Sequence, residues 1–268
     1  MNMQDIDFIK QEHKKYQEIF NVDLPDFDDI IFEGNMGNTL ALFIREGEKQ
    51  ILKINEDLPL CHQHYYRAQL YHEFTHQMDH ICSPYINDLR MHDAYMKAYS
   101  EIHASAIELQ TLLNSYGYNH ILNENKLVWL FNKQVTCEEF LNSKINRTEF
   151  GKNNIDIGMD DKKCVALVNN VVNVLYCIGY ATIFDMVDYL KIINNIFMRV
   201  QNAEFKHMFS SIIKAYNKKD IETLVKIYLD FDNKYRMPIL MSAILHLKEL
   251  GRYDQLDERC LNYLKKYN

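Results

Sequence analysis

The chain has 268 residues, enough for one large domain or two small ones with a substantial core. Apolar residues make up 47% and charged residues 25%, with only 8 Gly and 4 Pro, which favours a soluble, mostly helical protein. A formal net charge of -7 argues against general nucleic-acid binding, because phosphate contacts need clustered Lys and Arg.

Residues 3–20 read as an amphipathic helix with Ile6, Ile9, Tyr16 and Phe20 apolar, not as a secretory signal. Residues 21–29 read as a turn-rich connection, and 38–55 as a β-hairpin around Glu46-Gly47-Glu48. A helix is expected over 64–82, stopped by Ser83-Pro84, and a second over 86–115. The second carries Tyr95, Tyr99, Ile102, Ala106, Leu109 and Leu113 at helical spacing. Residues 125–143 suggest two short helices, with Thr136 capping the second and Glu139 at the reciprocal position. The polar loop 148–161 marks a boundary, dividing the chain into 1–155 and an all-helical part, 156–268.

In that second part a helix is expected from Asp160 or Asp161 to about Ile178, then further helices over 182–201, 203–216, 219–231, 236–249 and 253–266. They would form a bundle or an array like the tetratricopeptide helix pairs. The stretch 165–184 has no charged residue, but Asn169, Asn170 and Asn173 interrupt it, so it reads as a buried helix, not a membrane span. Six cysteines at 61, 82, 137, 164, 177 and 260 form no dense framework, which fits reduced thiols in a cytoplasm.

The chemistry centres on His72-Glu73-Phe74-Thr75-His76. On a helix, residues four apart share a face, so His72 and His76 can present two imidazoles to one Zn2+. Zinc would lower the pKa of a bound water, and Glu73 would take its proton as general base. The positions around the motif, Phe74, Thr75, Gln77 and Met78, are uncharged, and no Gly or Pro breaks the helix. A catalytic zinc needs a third protein ligand and one open position. His80 is a poor choice, because about 12 Å of helix rise separates it from His72.

Glu101 is the better third ligand. It lies in a stripe of small residues and carboxylates, Ala94, Ala98, Glu101, Ser105 and Glu108, on the following helix. Small residues let two helices approach, and a carboxylate buried between them needs a cation or a partner. Glu108 is the second choice. Cys61, His62 and His64 lack a fourth ligand at a typical spacing and read as an exposed loop, and Trp129 reads as a core anchor.

His-Glu-x-x-His with a downstream helical Glu101 resembles the gluzincin metallopeptidases, and among them compact intracellular ImmA/IrrE-type and minimal members. The likeness covers about residues 30–115. It implies a zincin-like α+β part: a small sheet, an active-site helix and a glutamate helix, with one strand of 38–55 binding an extended peptide or protein substrate. The pattern departs in one place. Thermolysin-like members carry an acidic residue four positions after the third ligand, and here that position is Ser105. Asp79 or Glu108 could orient a zinc-bound His instead. Tyr95, Tyr99 and His103 are the nearby residues from which an oxyanion donor could come, though Tyr99 also belongs to the apolar stripe. The competing reading is a non-catalytic helical interaction protein with a structural or degenerate metal site.

Overall fold

The computed structural model describes residues 3–37, 39–56, 62–116, 126–146 and 161–237. Helix α1 (Met3–Phe20) buries Ile9 and Tyr16, two turns apart on one face. Glu12 lies between them and is fully buried. It accepts two hydrogen bonds from Arg67, at 2.7 and 3.0 Å, and one from Lys15 at 2.9 Å. A buried carboxylate with that many cationic donors is a clamp between α1 and the next helix.

Three strands follow: β1 (Asp29–Glu33), β2 (Ala41–Glu46) and β3 (Lys49–Asn55), in the order β1-β3-β2. Strands β2 and β3 form the expected antiparallel hairpin, closed by Gly47 at φ 64°. Strand β1 pairs parallel with β3 and starts inside the segment expected to be a connection up to residue 29. Its five residues alternate in burial, with Ile30 and Phe32 turned inward, a pattern too short to stand out beside an Asp-rich turn. Register places Ile30, Leu52 and Phe43 side by side, with Phe32, Ile54 and Ala41 in the next row, so one face of the sheet is apolar.

Helix α2 (Gln63–Ile81) packs between α1, this sheet and a later helix, and it buries residues all round, including Leu70, Tyr71, Phe74 and Thr75. The long helix expected over 86–115 runs from 89 to 112, as α3 (Leu89–Tyr95), a π turn (Met96–Ser100) and α4 (Glu101–Leu112). Asp88 caps α3 by accepting from the backbone N–H of Arg90 and Met91.

The next stretch corrects a second expectation. Residues of the supposed first short helix form a hairpin, β4 (Leu127–Leu130) and β5 (Lys133–Thr136). Its β-prone runs Leu-Val-Trp-Leu and Gln-Val-Thr reverse through Phe131, at φ 53°. The second helix is present as α5 (Cys137–Ile145), with the Thr136–Glu139 capping box.

Helix α6 (Asp161–Ala181) contains the uncharged stretch and lies along α4. The two helices approach closely at Gly179, where an added Cβ would sit 2.2 Å from the Ile102 carbonyl oxygen. Among the described residues no helix is long and apolar enough to cross a membrane. Helices α7 (Met186–Arg199), α8 (Ala203–Asn217) and α9 (Ile221–Phe231) follow near the expected bounds, N-capped by Asp185, Asn202 and Asp220. A π turn, Asp232–Arg236, ends the described chain. The boundary near residue 155, the helices expected beyond 236 and the tetratricopeptide-like stretch lie outside the described residues, apart from the few at 236–237. The architecture is mostly helical with a small sheet, and apolar side chains from α1 through α9 join one core.

Candidate metal centre

Helix α2 contributes three residues to one spot. His72 and His76 lie one turn apart, and their Nε2 atoms face each other at 3.1 Å. From α4, the Glu101 Oε2 atom lies 3.7 Å from His72 Nε2 and 3.4 Å from His76 Nε2. Among the described residues these three are the one cluster of His, Cys, Asp or Glu whose donor atoms converge as a metal-ligand set. A tetrahedral zinc with arms of about 2.0–2.1 Å has ligand–ligand edges of about 3.4 Å. The observed triangle fits one face of such a shell, and its two-nitrogen, one-oxygen donor set is that of a catalytic zinc with an open position.

The electrostatics also call for a cation. Glu101 Oε2 is buried with no hydrogen-bond partner, and Glu73 and Glu108 lie close by. Burial works against a charge on His72, yet Glu101 and Glu108 beside it lift its pKa to about 10. Burial likewise opposes the Glu101 charge, but His76 and His72 hold its carboxyl well below the usual carboxylate range. With Glu108 met by Lys144, Glu73 and Glu101 are the carboxylates left beside the two imidazoles, a charge that a divalent ion would match.

Each imidazole is held from behind. His76 Nδ1 lies 2.8 Å from the Ser100 hydroxyl. His72 Nδ1 lies 3.3 Å from Glu108 Oε2, at ion-pair distance though out of line for a well-formed hydrogen bond. Glu108 is itself fixed by three helices: Gln69 donates to it at 2.7 Å, Tyr180 at 2.8 Å, and Lys144 stands 3.6 Å away. Glu108 therefore stands behind His72 and outside the converging set of His72, His76 and Glu101.

Glu73 points toward the sheet. Its Oε2 accepts the backbone N–H of Phe43 at 2.7 Å. That N–H is turned away from β3, so the carboxylate sits against the open edge of β2. Burial raises the Glu73 pKa, with the two histidines opposing.

Tyr176 was not legible in the sequence. It projects from α6, and its ring meets the His72 ring edge-on at a centroid distance of 5.5 Å. Glu101 is the carboxylate whose charge weighs most on its hydroxyl. Burial, then the charges of Glu101, Glu73 and Glu108, push its pKa well above that of an ordinary phenol, so it remains a proton donor. The only trace of this placement was the pair Tyr176 and Tyr180, one turn apart in the uncharged stretch 165–184. Nothing in the order of residues says which helix will cover the site.

Other candidates resolve differently. His80 pairs with His92, Nδ1 to Nε2 at 2.9 Å, and His92 Nδ1 reaches the Ser83 hydroxyl at 2.9 Å. Asp79 binds His103 Nδ1 at 3.0 Å and so orients neither His72 nor His76. Tyr99 packs with Tyr95 and Tyr216 as a core residue, with His103 at its edge. Trp129 is partly buried against the core and stacks on His62 at 3.5 Å, and the His64 ring lies nearly parallel to His62 at 5.4 Å. Cys61 lies outside the described residues. No family model matches the chain, and neither a curated protein nor a solved structure matches it.

Proposed function

We propose that the protein is a zinc-dependent metallopeptidase of the gluzincin kind, with a zincin-like arrangement of sheet, α2 and α4. The observation that carries the reading is the convergence of His72, His76 and Glu101, with Glu73 between them and the edge of β2. His72, His76 and Glu101 would hold Zn2+. The ion supplies Lewis acidity, which polarises a carbonyl and makes water reactive near neutral pH.

The remaining steps belong to the chain. A peptide lies extended along β2, where the outward backbone groups alternate with those that pair to β3. Glu73 takes the proton of the attacking water and passes it to the leaving amine. Tyr176 donates its hydroxyl proton as a hydrogen bond to the oxygen on which charge develops. A cytoplasmic setting suits the three described cysteines, Cys82, Cys137 and Cys177, which are free thiols.

The test combines metal content with cleavage of a proteome-derived peptide mixture, read by mass spectrometry. The expected result is about one zinc per chain, lost in His72→Ala, His76→Ala and Glu101→Ala. Glu73→Gln should keep the zinc and lose at least about 100-fold in cleavage rate. A zinc-loaded protein that cleaves nothing, or cleaves equally well with Gln at 73, would support a structural metal site in an interaction protein.

A further inference from the structure

Helices α3 and α4 would form one continuous rod but for the π turn at Met96–Ser100. Both ends of this rod must face α2. At one end, His92 bonds His80 of α2. At the other, Ser100 and Glu101 reach the two ring nitrogens of His76, and Glu108 reaches His72.

An uninterrupted α-helix cannot do this. At about 100° per residue, His92 and Glu101, nine apart, would point about 180° from each other. Glu108, sixteen residues on, would lie about 160° away. A π turn accommodates one extra residue, so the later positions slip back by about 100°. Glu101 then lies about 80° from His92, Glu108 about 60°, and Ser100 within about 20°. All three fall on the side that faces α2, as their contacts require.

We infer that the π turn sets the register of the metal site, and that Ser100 is the positioning residue for His76. The inference rests on the zinc reading and extends it to how the third ligand is placed. Ser100 is fully buried, and its hydroxyl lies 2.8 Å from His76 Nδ1, where it would accept that proton in the tautomer that presents an unprotonated Nε2 to the ligand triangle. Ser100 would thus favour the imidazole tautomer that can bind metal.

The experiment is zinc affinity of the full-length protein, measured by chelator competition, with the visible spectrum of the Co2+-substituted protein as a second readout. Ser100→Ala should bind one zinc with roughly 10- to 100-fold lower affinity and give an altered Co2+ spectrum, while its circular dichroism stays that of wild type. Ser100→Thr, which keeps the hydroxyl, should recover most of the affinity. Deleting Lys97 removes the extra residue and should abolish zinc binding with helical content retained. If that deletion fails to fold, the Ser100 pair still decides. Unchanged affinity in Ser100→Ala, in a protein whose His76→Ala variant loses zinc, would overturn this inference and leave the zinc site standing. A wild type that binds no zinc would remove the zinc reading and this inference together.

Discussion

His72 Nδ1 and Glu108 Oε2 lie 3.3 Å apart, on the side of the imidazole away from Glu101. Glu101 and Glu108 are seven residues apart, two turns on one face of α4, so one helix would supply both the proposed ligand and its support. Glu108→Gln should lower zinc affinity roughly 10- to 100-fold without changing the one-to-one stoichiometry. Calorimetric or chelator titration would check this, and equal affinity would mean that the pair contributes packing alone.

Gly179 allows α6 to press against α4. In Gly179→Ala the new Cβ would fall 2.2 Å from the Ile102 carbonyl oxygen and 2.9 Å from the Ser105 Cβ, so the helices must separate. The expected cost is about 2–3 kcal/mol, seen as a lower urea midpoint. Because Tyr176 and Tyr180 ride on the same helix, zinc affinity should fall with stability. A variant as stable as wild type would show that α6 can shift without loss.

Tyr176→Phe keeps the ring that meets His72 and removes only the hydroxyl. Zinc content should stay at one per chain. The turnover rate on the peptide mixture should fall about 100-fold, in line with loss of one donor to the developing oxyanion. An unchanged rate would exclude Tyr176 from that role.

Acid should destabilise the metal-free protein through His80. Burial, then His92 and Arg45, lower its pKa from 6.5 to about 4. His80 is therefore neutral when folded over a range in which the unfolded chain binds a proton. Its contribution is fully present above pH 6.5 and is lost as pH falls to about 4, a change on the order of 3 kcal/mol. His13, also lowered chiefly by burial, acts in the same direction. Urea unfolding across this range, with chelator present, should show a shallower acid slope in His80→Gln than in wild type.

The sequence by itself determined the local features. Spacing of four in His72 and His76, apolar repeats along α1 and α2, and Gly47 in its turn each depend on neighbours within a few residues. So does the Thr136–Glu139 capping box. The stripe through Glu101 and Glu108 marked the face of α4 whose carboxylates would need a cation or a partner. Short-range rules failed where a partner from afar decides. Strand β1 exists because β3 offers it hydrogen bonds, and the β4–β5 hairpin forms where helical periodicity competed with β-prone residues.

Only the tertiary structure decided which of the two glutamates meets both imidazoles and which stands behind one of them. The π turn rotates α4 after the chain has committed to a helix, and no residue type encodes that slip. Tyr176 and Lys144 join the site because α5 and α6 pack there, bringing side chains more than thirty residues beyond Glu101 into a buried, charged centre. Low dielectric makes such contacts strong once formed, and chain connectivity leaves no periodic trace of them in the sequence.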